Sequence, residues 1–177
     1  MIEPTFQIKT EVDTKDFGKF VLEPLEQGYG QTLGNSLRRV LLASLSGSAI
    51  VSAKIEGVRH QFSTLPGMKE DVVEFLLNLK KVRLTIEDNE PVTLRLSKKG
   101  SGEVFASDIE VPAGVTIVSP DVVLATLSDK KASLEVEMVA DKGYGYVPAD
   151  EKHLDQVGVI PVDALYSPVM RVNYRVE

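Results

Sequence analysis

The sequence predicts an α+β fold organised around an antiparallel sheet. Two amphipathic helical stretches stand among many short runs of alternating apolar and polar residues, so both the 3.6-residue and the 2-residue period are present. Turn residues separate the β-like runs at short intervals, and no strand–helix–strand crossover spacing is seen between them.

The first elements are strands. Phe6, Ile8 and Val12 alternate with Gln7, Lys9 and Glu11, which predicts a half-buried strand. Residues 17–22 predict a second strand, ended by Glu23-Pro24. Gly28-Tyr29-Gly30-Gln31 then reads as a glycine turn opening a helix over residues 32–45, with Thr32 as N-cap and Gly47 as the stop. Leu33, Leu37, Val40, Leu41 and Leu45 form one broad stripe on that helix. At about 100° per residue Leu42 points away from the stripe, between Arg38 and Arg39. One face is free to enter a core, and the Arg-Leu-Arg patch is then left as an interface anchor of the kind proteins use to grip one another.

Residues 50–55 predict a strand and Glu56-Gly57 its turn, and residues 63–67 a loop. A second helix is expected over residues 69–81, with Val72, Phe75, Leu76 and Leu79 as its core stripe. Glu70 and Asp71 at its start and Lys80 and Lys81 at its end complement the helix dipole. After the Asp88-Asn89-Glu90-Pro91 turn the pattern is β throughout. Val92, Leu94 and Leu96 alternate, Lys99-Gly100-Ser101-Gly102 turns, and short strands follow over residues 104–109, 115–118, 122–127 and 133–139. Residues 141–160 read as a long irregular segment. The cleanest strand is the last, where Met170, Val172, Tyr174 and Val176 alternate with Arg171, Asn173, Arg175 and Glu177. The sequence stops in mid-pattern, which reads as a cut.

Composition narrows the function classes. The 177 residues, 43% apolar and 26% charged, suffice for one domain with a real core or two small ones. The absence of cysteine removes disulfides, thiolate nucleophiles and cysteine-ligated zinc. A net charge of −6 argues against a chain that mainly grips nucleic acid, and the basic pairs at 38–39, 80–81, 98–99 and 130–131 read as solvated surface. Met1-Ile2-Glu3-Pro4 lacks the basic start of a signal peptide, and no apolar run approaches the roughly 20 residues of a membrane span. A cytoplasmic protein is expected.

Three patterns invite chemistry. Gly28, Gly30 and Gly34 open a helix as phosphate-binding loops do, but their spacing is one residue longer than the dinucleotide fingerprint and the Walker lysine is missing; a tight turn with close packing is the better reading. His60 and Ser63 have nucleophile–base spacing, yet need a carboxylate orienter and an oxyanion site that the sequence does not indicate. The other histidine, His153, is far away in sequence, so no metal site is read. Asp141-Lys142-Gly143-Tyr144-Gly145-Tyr146-Val147-Pro148 suits either a partner surface or a loop stiffened by packed rings. Neither a cofactor nor a catalytic residue is predicted.

Four ordered motifs carry a resemblance. Residues from Leu22-Glu23-Pro24-Leu25-Glu26 to Leu42 resemble the signature of the N-terminal domain of the bacterial RNA polymerase alpha subunit. Phe62-Ser63-Thr64-Leu65-Pro66-Gly67-Met68-Lys69-Glu70-Asp71 with Leu76-Leu77-Asn78-Leu79-Lys80, then Gly145-Tyr146-Val147-Pro148-Ala149, then Val162-Asp163-Ala164-Leu165-Tyr166-Ser167-Pro168-Val169 match in the same order, covering essentially the whole chain.

The resemblance implies a discontinuous dimerisation and assembly domain, residues 1–46 and 167–177, and an inserted mostly β domain with one helix, residues 47–166. It implies a non-catalytic scaffold subunit that forms a homodimer and binds the beta and beta-prime subunits. Arg38, Arg39 and Leu42, with His60, Phe62, Ser63 and Thr64, match the beta-facing positions. Glu74, Lys80, Val162, Asp163 and Val169 match positions near beta-prime or the large subunits, and Leu33, Leu37, Val40 and Leu41 match the dimer core. Family members continue beyond this point with more β structure, a second dimerisation helix, a linker and a small DNA-binding domain. Their absence here implies weakened dimerisation and no direct nucleic-acid contact. Two other readings stand beside this one: a free-standing protein-binding module derived from the alpha subunit, and an independent enzyme using His60 and Ser63 or the glycine loop.

Overall fold

The computed structural model describes residues 6–151 and 156–177; Met1-Ile2-Glu3-Pro4 and His153 lie outside them. The chain opens with a hairpin of β1 (Gln7–Asp13) and β2 (Gly18–Glu23), followed by helix α1 (Tyr29–Ala43). The strand β3 (Ser46–Ile55) begins two residues beyond the C-cap Ser44. Helix α2 (Val72–Leu79) follows, then β4 (Leu84–Ile86), β5 (Val92–Lys99), β6 (Gly102–Phe105), β7 (Ile109–Glu110), β8 (Val115–Ile117) and β9 (Val123–Leu127). The long strand β10 (Ser133–Tyr144) leads to β11 (Tyr146–Val147), β12 (Val159–Pro161) and β13 (Ala164–Leu165).

The main sheet has the order β7-β5-β10-β3-β4-β8, with β12 also on β3. Its recorded pairs are all antiparallel. Alternation builds its inner face: Leu134, Val136, Met138 and Ala140 of β10 and Leu94 and Leu96 of β5 are buried. Helix α2 closes the core, packing on β9, with Val72, Phe75 and Leu79 wholly buried and Leu76 nearly so. Asp71 caps α2 by accepting from the Glu74 N–H at 2.7 Å, and Glu70 holds β9 through Thr126 N–H and Oγ1 at 2.7 and 2.9 Å. The predicted core stripe of α2 and its N-terminal chemistry are thus both present, on a helix shorter than residues 69–81.

Other expectations need correction. Helix α1 starts at Tyr29, three residues before Thr32, with Gly28 as its N-cap in the left-handed conformation (φ 88°), so the turn lies earlier and Thr32 is inside the helix. Gly47 is a β3 residue rather than a helix stop, because Ser44 already closes α1 by donating to the Val40 carbonyl. Residues 104–109 are two strands, not one: Asp108 accepts from Phe105 N–H at 2.9 Å and from Lys98 Nζ at 2.6 Å, and this pull forms a single 3-10 turn over residues 106–108. The 141–160 region is partly regular, since β10 runs on to Tyr144 and β11 and β12 follow. Strand β4 was not anticipated, although Val82, Leu84 and Ile86 alternate and all are buried. The final segment, read as a strand over residues 170–176, is not a strand, because among the described residues no strand pairs with it. It lies instead along α1, with Tyr174 against Gly34 and Val176 against Gly30; an added Cβ would come within 2.5 and 2.6 Å of those side chains.

The half-buried reading of β1 fails for a related reason. Among the described residues of 6–48 none is buried. Ile8, Phe17, Phe20, Val40, Met170 and Tyr174 are all exposed large apolar residues, clustered in the hairpin, α1 and the last segment. Apolar patterning made these elements, but among the described residues the contacts within one chain leave them at most half-buried.

Candidate assembly surfaces

Helix α1 presents its sequence-predicted stripe to solvent. Leu37 is 39%, Val40 51% and Leu41 36% exposed, and Leu33 is half-buried. Leu42, expected on the exposed side, is half-buried, while Arg38 and Arg39 are exposed. Among the described residues neither guanidinium has an ion-pair partner. Gly30 and Gly34 face Val176 and Tyr174, and Tyr174 Oη donates to Gln31 Oε1 at 3.1 Å. That packing fills the space a phosphate would need, so the glycines serve close approach.

The 60–64 loop is a compact turn. Ser63 N–H donates to the His60 carbonyl at 3.2 Å, and Ser63 Oγ and His60 Nδ1 lie 3.1 Å apart. Among the described residues no carboxylate hydrogen-bonds His60, so the pair closes the loop without the orienter a nucleophile would need. Phe62 stands out at 78% exposed and Thr64 is exposed beside it.

The third group gathers at the C-terminal end of α2. Lys80 Nζ donates to Asp163 Oδ2 at 2.8 Å, and the other Asp163 oxygen accepts from Ala149 N–H at 2.9 Å. Lys80 also lies over the Tyr146 ring, 4.9 Å from its centre, a cation–π arrangement. The structure thus brings together Lys80 and Asp163, which lie 83 residues apart. Glu74, nearer the start of α2, is exposed and Val169 is half-buried. Val162 is 4% exposed and packs in the core of the single chain, and its N–H donates to the Val51 carbonyl at 2.9 Å.

Sequence reading missed Arg83. Its Nη1 donates to the Leu165 carbonyl at 2.9 Å, its Nη2 reaches Met170 Sδ, and burial lowers its pKa. A groove of about 510 Å³ runs beside it, lined by Leu77, Lys80, Lys81, Arg83, Leu165 and Met170. The Val82–Ile86 alternation carried the available signal, since it puts Arg83 on the face opposite the buried residues.

The hydrogen bond from Lys80 pulls the Asp163 pKa down to about 2, helped by Ala149 N–H. A carboxyl depressed in the folded state stabilises the fold above its unfolded pKa and loses that contribution as pH falls through the folded value. Urea stability is therefore expected to drop between pH 3.8 and about 2. Asp163→Asn should flatten that limb; an identical acid limb in the variant would refute the assignment.

These features define an α+β protein on an antiparallel sheet. Residues 53–167 match the RNA polymerase Rpb3/RpoA insert domain, and the chain belongs to that family. Over its whole length it is similar to the DNA-directed RNA polymerase subunit alpha of Symbiobacterium thermophilum, at 51% identity across 179 aligned positions. The chain spans 56% of the length of that relative. Among the described residues no helix is long and apolar enough to cross a membrane.

Proposed function

We propose that the chain is an assembly scaffold of DNA-directed RNA polymerase, a non-catalytic subunit in transcription. In this reading residues 1–46 and 167–177 form the dimerisation and assembly part and residues 47–166 the insert. The stripe Leu33, Leu37, Val40 and Leu41 enters a homodimer. Arg38, Arg39, Leu42, His60, Phe62, Ser63 and Thr64 face the beta subunit. Glu74, Lys80, Val162, Asp163 and Val169 lie toward beta-prime or the large subunits, and Lys80 also lines the groove beside Arg83.

One observation carries this reading: among the described residues of the flank that borders the sheet (the hairpin, α1 and the last segment, residues 6–46 and 168–177) none is buried in the single chain. The accessible surface is 12174 Å² for 19.4 kDa, against roughly 8,500 Å² for a compact monomer of that mass. The excess, with its exposed apolar residues, is of the size that stable subunit interfaces cover. The kinship with an alpha subunit supports the choice of partner.

The test is solution mass by light scattering, alone and mixed with the beta subunit. A dimer that shifts on mixing supports the scaffold. A chain that neither dimerises nor binds beta refutes it, and capture by some other complex instead would favour the free-standing module. Arg39→Ala is expected to weaken beta binding by about 2 kcal/mol, the scale of an arginine interface anchor, with unfolding unchanged. Normal recovery of beta by the variant would remove Arg39 from the interface.

A further inference from the structure

The chain crosses between flank and sheet twice, leaving α1 for β3 and returning after β13. Both crossings are held at one residue, Tyr166. Its ring lies on Gly143 of β10, where an added Cβ would come within 2.6 Å of the ring. Its carbonyl rests against Gly47 of β3, leaving no room for any side chain there. Its hydroxyl donates to Asp141 Oδ1 at 2.7 Å, and the residue is 6% exposed. The N–H groups of Tyr166 and Ser167 both donate to the Gly145 carbonyl, at 2.9 and 3.2 Å. Ser167, 2% exposed, then turns the chain by accepting from Val169 N–H and donating to its carbonyl.

We propose that Tyr166, seated on Gly47 and Gly143, is a lock that presets the angle between the flank and the sheet before any partner binds. This rests on the two-part division proposed above. Two neighbouring crossings with free backbone dihedrals would form a hinge. Here glycines allow a ring and a carbonyl to close on the backbone, and the buried hydroxyl bond fixes the ring's rotation. A preset orientation lowers the ordering cost that assembly would otherwise incur.

The test is a distance distribution by pulsed electron paramagnetic resonance. Spin labels are placed at Ser36→Cys on α1 and Ser97→Cys on β5, both exposed sites in a chain without native cysteine. The labelled protein is diluted into unlabelled protein so that only distances within one chain are read. A narrow distribution is expected, widening about twofold in Gly143→Ala, where the ring is displaced, while the sheet's circular dichroism is retained. Tyr166→Phe removes only the hydroxyl bond and should also widen the distribution; it carries the test if Gly143→Ala does not fold. A broad distribution in the unsubstituted protein, or an unchanged width in Tyr166→Phe together with no widening in a folded Gly143→Ala, overturns the lock. Because no partner is present, this outcome is independent of whether beta binds.

Discussion

Gly47→Ala is expected to lower the unfolding free energy by about 3 kcal/mol or more, at the upper end for overpacking. The cause is a backbone meeting a backbone. A Cβ at position 47 would overlap the Tyr166 carbonyl oxygen and crowd its carbon at 2.9 Å. A flexible side chain could swing away, but this carbonyl is held by the N–H groups on either side of it, which both bond Gly145. Relief therefore requires separating β13 from the start of β3, and with it the small cluster of Ala49, Ala164 and Tyr166. Gly100→Ala provides a contrast, since nothing lies within 4 Å of its Cβ site and only its positive φ resists substitution. Urea denaturation checks the prediction; a change below about 0.5 kcal/mol at position 47 would show that the strand shifts freely.

Phe75→Ala should destabilise by about 3–5 kcal/mol, the cost of removing a buried aromatic ring and leaving a cavity. Phe75 is 0% exposed and sits in the middle of the main core, on a helix tied to β9 by Asn78 Nδ2 donating to the Leu124 carbonyl at 3.1 Å. Those ties limit collapse into the void, which places the cost high in the range. Phe75→Leu should retain most of the stability, and Leu77→Ala, at a residue 54% exposed, should cost less than about 0.5 kcal/mol. Equal losses at positions 75 and 77 would show that the core assignment of α2 is wrong.

The legible parts of the fold are those where local pattern and burial agree. Helix α2 shows both, because its stripe, N-cap and charge placement all serve one packed face. Strand β5 is similar: Leu94 and Leu96 point inward as their alternation requires. Helix α1 was legible in type and periodicity but not in its start. Glycine inside a helix normally weakens it, and only the contact of Val176 and Tyr174 with Gly30 and Gly34 explains why these two are helical. The break at residues 106–108 was hidden because it depends on Lys98, ten residues away, meeting Asp108. Within the candidate surfaces, the exposure of Arg38 and Arg39 follows from local sequence, whereas the exposure of Phe62, the joining of Lys80 to Asp163 and the place of Arg83 do not.

The sequence by itself determined the α+β class, the type of most elements, the core face of α2 and the kinship carried by its four motifs. Periodicity and turn chemistry are local, so they survive without knowledge of the fold. Only the tertiary structure decided that Val162 faces inward, that the last segment lies on α1 without joining a sheet, and that Tyr166 holds both crossings. Each of these depends on which distant surface is available to bury a side chain or accept a hydrogen bond, and spacing along the chain carries no record of that.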